Sequence, residues 1–149
     1  MGYDTQGELI VEALEEEEQD LVVIENNPDR INDVIEDKEN YVFGDAMDES
    51  TWKEACYREA DLILSTVPVR SVSEEIINLE TEADKIIRTE TMEAGAEFVD
   101  DVSYVEVPDL MASERLADHI KGVMEDPSYK DELRRRNLLE IRKILNEQE

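Results

Sequence analysis

Gly2-Tyr3-Asp4-Thr5-Gln6-Gly7 runs directly into the helical pattern Leu9, Ile10, Ala13, Leu14. A glycine turn that opens a helix points backbone N–H groups at an anion. In such a turn the first glycine makes the bend tight, the second lets the backbone approach a pyrophosphate, and the third lets helix and sheet pack closely. Here the first and third positions are glycine and the second is Asp4. A carboxylate beside a helix N-terminus engages the same amide dipoles that would hold a phosphate, and it repels the phosphate directly. The turn is kept while its anion is contested.

Further polar residues stand at the ends of apolar runs. Leu21-Val22-Val23-Ile24 ends in Glu25 and Asn26, with Glu25 placed 18 residues after Gly7. An acid at that position accepts hydrogen bonds from an adenosine ribose. Tyr41-Val42-Phe43 is closed by Gly44-Asp45-Ala46, and Asp61 to Thr66 is stopped by Val67-Pro68. Asp45 and Thr66 therefore belong to the carboxyl edge of the strands, where open α/β folds bind ligands. Asp45 beside a glycine reads equally well as a turn former. Cys56, at the end of an amphipathic helix with no histidine near it in sequence, reads as a small buried side chain. His119 lies beside an apolar helix face and reads as a surface or interface residue. With one cysteine and one histidine, the chain has no internal disulfide and no multi-cysteine zinc site, and no metal ligands or catalytic residues are expected.

Alternating elements must position these residues. Asn27 with Pro28 starts a helix carrying Ile31, Val34 and Ile35, and Asp48 caps one that runs through Trp52 and Ala55. Ser71 with Glu74 predicts a capping box for a helix showing Val72, Ile76, Leu79 and Ala83 on one face. Lys85 to Arg88 reads as a strand, and Glu97-Phe98-Val99 as another after a turn at Ala94-Gly95-Ala96. Continuous apolar strands separated by helices are the pattern of a parallel sheet covered on both faces. The expected fold is α/β, doubly wound, with the first strand truncated. After Pro108 only helices are expected: one capped by Asp109 through Leu116, Ile120 and Met124, then one begun by Asp126-Pro127 with Leu133, Leu138, Ile141 and Leu145. This gives a nucleotide-binding domain over 2–107 and C-terminal helices for dimerisation or linkage over 108–149.

Composition limits the partners. Asp and Glu number 41 against 15 Lys and Arg, a formal net charge of −26 on 149 residues, while 40% of residues are hydrophobic. That apolar content fits a folded domain with an acidic surface rather than an acidic tail. Such a surface suits a very salty cytoplasm, where screening relieves self-repulsion, so a salt-loving microbe is the expected source. Nucleic acid is excluded, because its phosphates need a basic patch and Arg134-Arg135-Arg136, flanked by acids, is the one basic run. No stretch approaches the roughly 18 consecutive apolar residues of a membrane span, and no signal peptide is evident, so a cytoplasmic location is expected.

Taken in order, Gly-x-x-x-x-Gly, Leu-Val-Val-Ile-Glu-Asn-Asn-Pro, Tyr-Val-Phe-Gly-Asp-Ala and Ala-Asp-Leu-Ile-Leu-Ser-Thr-Val-Pro resemble the RCK or KTN (TrkA-N-type) regulatory domain of potassium transport proteins. The stretch from Ala94 through Leu116 resembles the version attached to cation/proton antiporters. The resemblance covers residues 2 to 125 and implies a Rossmann-like module that dimerises and binds NAD(H) or an adenine nucleotide such as ATP or AMP. It also implies that binding is coupled to a membrane-embedded potassium channel or antiporter subunit, so that the cytoplasmic domain would be peripheral to the membrane. By motif, Gly2, Tyr3, Thr5 and Gly7 match the phosphate turn, Glu25 with Asn26 the ribose end, and Asp45 and Ala46 the adenosine side. Thr66 and Val67 match the end of the next strand, and Arg88 a basic residue that approaches phosphate.

Two departures from the pattern stand out. Asp4 is one, and it argues that no nucleotide binds. The other is the absence of an apolar strand before Gly2. A sheet ordered 3-2-1-4-5-6 without its first strand has a gap with unpaired ladder edges. Either residues that belong before Met1 are missing, or another segment or chain fills the slot. The expected function is a non-catalytic, nucleotide-binding regulatory module working through dimer rearrangement. The alternatives are a degenerate, ligand-free dimerisation module, and an NAD-dependent oxidoreductase, for which no Tyr-Lys or His-Asp arrangement presents itself.

Overall fold

The computed structural model describes residues 5–17, 19–30 and 40–146, and the chain divides into two compact units between Pro108 and Asp109. Gly2, Tyr3 and Asp4 of the glycine turn lie outside the described residues, as do Ile31, Val34 and Ile35.

The first unit alternates helices and short parallel strands. Helix α1 (Thr5–Glu16) leads to β1 (Val23–Glu25), which pairs in parallel with β2 (Tyr41–Phe43), Ile24 opposite Val42. Helix α2 (Glu49–Glu54) and a 3-10 turn (Tyr57–Glu59) precede β3 (Leu62–Leu64), and α3 (Arg70–Asn78) precedes β4 (Asp84–Arg88). Helix α4 (Met92–Phe98) leads to β5 (Tyr104–Glu106). Strands β3, β4 and β5 form a parallel sheet in that order. Among the described residues no ladder joins β1 to β3, so β1 and β2 form one parallel pair and β3, β4 and β5 another sheet.

One core nevertheless spans both halves. Ile24 and Val42 from one half join Ile63 and Ile87 from the other, with Trp52, Tyr57, Ile76 and Phe98 from the connecting segments. All three residues of β1 are buried, as a strand covered on both faces must be. Trp52 meets its polar requirement inside this core, its Nε1 donating to the Ala46 carbonyl at 2.8 Å. Gly44 is required here by close approach: a Cβ on it would lie 2.4 Å from Thr51 Oγ1.

Local chemistry departs from the sequence expectations at several points. Glu97 and Phe98 end helix α4 rather than forming a strand, because the Thr91 hydroxyl accepts from Ala94 N and starts a helix upstream of them. The last strand is instead Tyr104–Glu106. The capping box does not form, since α3 begins at Arg70 with Val69 at the N-cap; Ser71 is already inside the first turn and Glu74 pairs with Arg70 at 2.8 Å. Asp48 occupies its N-cap position without a side-chain cap bond. Asn27 does cap, its Oδ1 accepting from Asp29 N at 3.0 Å as Pro28 enters helical backbone. Cys56 is exposed rather than buried, because the chain leaves α2 through a left-handed residue there, φ 55°, that turns the side chain outward.

The second unit consists of α5 (Pro108–Glu125) and α6 (Tyr129–Asn146). Pro108 opens α5 and Asp109 falls in its first turn rather than capping it. Asp126 forms the connection, its Oδ1 accepting from Ser128 N at 2.9 Å and Ser128 Oγ at 2.7 Å. These two bonds hold the Asp126 carboxyl below its usual range. Gly122 lies under the Tyr129 ring, where a Cβ would come within 2.5 Å of a ring carbon. No residue of α5 and none of the described side chains of α6 is buried.

Candidate functional site

Of the sequence-predicted residues, Glu25, Asn26, Asp45, Ala46, Thr66, Val67 and Arg88 sit at or just beyond the carboxyl ends of β1 to β4, while Thr5 and Gly7 lie in the first turn of α1. Glu25 is 5% exposed, and its Oε1 accepts from Asn26 N at 2.8 Å and Asn27 N at 2.7 Å. Two backbone donors converging on one oxygen fix the direction of the whole carboxylate. Its own carbonyl accepts from Gly44 N at 3.0 Å, tying the ends of β1 and β2 together. The exposed Asp45 accepts from Met47 N at 2.9 Å through Oδ1, so its turn-forming role is realised. Ala46 is fully buried with its carbonyl engaged by Trp52, which makes it a wall of the edge.

At the second pair of strand ends, Thr66 is 3% exposed and its carbonyl accepts from Arg88 Nη1 at 3.3 Å. Arg88 is half-buried, so a permanent cation is held at the end of β4. Ser65 was missed in the sequence. It is fully buried, and its Oγ accepts from Val67 N at 3.2 Å, shaping the turn that carries Thr66 and Val67 out of β3. The signal was a hydroxyl residue at the end of an apolar run, where it bonds the backbone two residues on. The structure thus ties Glu25 to Gly44, the residue before Asp45 and Ala46, and Thr66 to Arg88.

Helix α1 reaches the same region. Gly7 is buried in its first turn, and the half-exposed Glu8 pairs with Arg30 at 3.1 Å, linking α1 to the segment that follows β1. An ion pair this exposed contributes at most about 1 kcal/mol, so it orients more than it stabilises. Tyr41 starts β2, and burial, followed by the charge of Glu25, pushes its phenol above the ordinary range.

The donor set could hold a ribose and an anion. A ribose presents hydroxyl donors, and Glu25 is an oriented, buried carboxylate acceptor; Arg88 supplies positive charge for an anion. The opposite edge of β4 is built differently. Lys85 Nζ donates to the carbonyls of Ile77 and Leu79 at 2.8 Å each and so closes the end of α3, with burial lowering its pKa. The shallow depression there, lined by Thr81, Lys85, Asp100, Asp101 and Ser103 among others, has its cation committed to backbone.

Comparison with known proteins agrees with this architecture. A family model described as the TrkA-N domain matches residues 1–106. Among solved structures, the TrkA-N domain of inner membrane protein ybaL from Escherichia coli is similar, with a TM-score of 0.73 and 21% identity. The match covers 78% of this chain and 90% of that one. A likeness at this identity speaks to the fold. A comparison with curated proteins gave no match.

Proposed function

The chain belongs to the TrkA-N domain family, and on that premise we propose that it is a nucleotide-binding regulatory module of a potassium channel or cation/proton antiporter. An adenine nucleotide or NAD(H) lies across the carboxyl edge of the strands. Glu25 accepts from the ribose hydroxyls, Asn26 and Asn27 hold Glu25 in place, and Asp45 and Ala46 border the adenosine. Arg88 faces the phosphates, and Gly2, Tyr3, Thr5 and Gly7 match by motif the turn that receives them. Binding changes the arrangement of two copies of the domain, and a membrane-embedded subunit reads that change. The module is non-catalytic and works at the cytoplasmic side of the membrane, in salt high enough to screen its charge.

The observation that carries this reading is the Glu25 carboxylate, buried at the end of β1 and aimed by two backbone N–H groups. A second reading, a ligand-free interaction module, is favoured by Asp4, a carboxylate at the motif position of the second glycine. Calorimetric titration with NADH, NAD, ATP, ADP and AMP in molar potassium chloride, with light scattering to follow the oligomer, separates the two. Binding supports the sensor and identifies its signal. A folded protein that ignores every nucleotide, and still does so as Asp4→Gly, supports the interaction module.

A further inference from the structure

Strand β2 carries an aromatic residue at each end, and the two have different surroundings. Val23 stands opposite Tyr41 and Glu25 opposite Phe43, so these four side chains share one face of the strand pair. The inner half of that face is closed: Val11 of α1 packs with Val23, and Leu21 and Tyr41 pack against them. The outer half is open. Phe43 continues the row of Tyr41 yet is 52% exposed. Ile24 and Val42, between them on the other face, join the main core.

A single exposed apolar residue needs no explanation by itself. Phe43 is set apart by what surrounds it. Its register partner is Glu25, the buried carboxylate aimed by Asn26 N and Asn27 N. Gly44 N, directly after the ring, donates to the Glu25 carbonyl and so fixes the strand end that carries Phe43. Met47, 48% exposed, follows in the turn closed by Asp45, and adds a second apolar side chain to the segment after β2. Glu8, in the first turn of α1, pairs with Arg30 beyond the end of β1, so the glycine end of that helix belongs to the same edge. An oriented acid, an exposed ring beside it and a helix start thus share one edge.

We propose that Phe43 is the base-stacking residue of this edge, its ring receiving the purine of the nucleotide whose ribose Glu25 holds. This role rests on the nucleotide reading of the same edge and adds to it the group that recognises the base. A purine presents a flat π-face, and an aromatic side chain matches it where an aliphatic one offers area alone. Asp45 Oδ1 and the Ala46 carbonyl are engaged with Met47 N and Trp52 Nε1, which puts the weight of base recognition on the ring.

The test is calorimetric titration of the full chain with AMP, ATP and NADH in molar potassium chloride, all three probes containing the adenosine phosphate unit. Wild type is compared with Phe43→Ala, Phe43→Leu, Phe43→Tyr and Glu25→Gln, with circular dichroism to check that each is folded. The expected result is that the wild type binds at least one probe and that Phe43→Ala weakens this binding by about tenfold or more. Phe43→Tyr, which keeps the ring, should stay within about threefold of wild type, while Phe43→Leu, which keeps apolar bulk alone, should stay weakened. Full binding by Phe43→Ala or by Phe43→Leu overturns the stacking role. If Glu25→Gln is weakened in that same experiment, the nucleotide reading survives the loss. No binding of any probe by a folded wild type overturns both.

Discussion

The two units of this chain use hydrophobic residues in opposite ways. Up to Pro108, apolar side chains meet one another: Ile76 and Ile87 are fully buried, and one cluster runs from Ile24 to Phe98. Beyond it, Leu116 is 60% exposed, Leu139 62% and Met124 80%. Helix α5 packs on α6 through its small residue, Gly122, while Leu116, Ile120 and Met124 lie on a different side. Apolar surface inside the first unit is therefore folding energy. In the helical pair much of it stays exposed.

The strongest test of that contrast compares isoleucines. Ile76→Ala should cost about 2–5 kcal/mol in urea unfolding followed by circular dichroism, because it removes a fully buried side chain and leaves a cavity. Ile120→Ala, at an exposed helix position, should stay within about 0.5 kcal/mol under conditions where the protein is monomeric. Equal costs would mean that the helical pair is packed as tightly as the sheet. Glycines sharpen the contrast at smaller scale. Gly44→Ala should destabilise by about 1–3 kcal/mol, since the new Cβ meets a buried Thr51. For Gly122→Ala the gain in helix propensity, about 1 kcal/mol, offsets the displacement of the Tyr129 ring, so its net cost should be the lesser of the two.

The smallest expected effect concerns pH. The Tyr41 hydroxyl is buried with no hydrogen-bond partner among the described residues, and its pKa is raised from 10.0 by burial and then by Glu25. A raised folded pKa means that the contribution of the neutral phenol is fully present below pH 10.0 and is lost as pH climbs through the folded value. Stability should therefore fall in that alkaline range, and Tyr41→Phe should flatten the fall without loss of stability at neutral pH. An unchanged alkaline slope in Tyr41→Phe would remove Tyr41 as its source.

Much of the fold was legible because a buried parallel strand is a short apolar run with a turn signal behind it. Tyr41 to Phe43, Leu62 to Leu64 and Lys85 to Arg88 all follow that rule. The strand at Tyr104–Glu106 was not legible, since its run is interrupted by acids and serine and lacks that continuity. Phe98 misled for the opposite reason. It is a buried apolar residue with apolar Val99 beside it, and only the Thr91 cap and the close approach of Gly95 to Val105 and Val107 show that it belongs to a helix. The left-handed turn at Cys56 carries no glycine or asparagine, so nothing in the sequence announced that the thiol would face solvent. At the candidate site, the residue types at the strand ends were readable from spacing. The backbone bonds that aim Glu25 and shape the Ser65 to Val67 turn depend on tertiary placement.

The edge around Glu25 is proposed to receive an adenine nucleotide. The most direct test is calorimetric titration of wild type and Glu25→Gln with NADH, NAD, ATP, ADP and AMP in molar potassium chloride. Glutamine keeps an oxygen for the Asn26 and Asn27 N–H groups while removing the charge that a ribose would meet. The account predicts saturable binding of at least one nucleotide by the wild type, weakened about tenfold or more in the variant, as expected when a hydrogen bond to a charged group worth about 1.5–3 kcal/mol is lost. Binding that ignores the substitution, or no binding by a folded wild type, would contradict it.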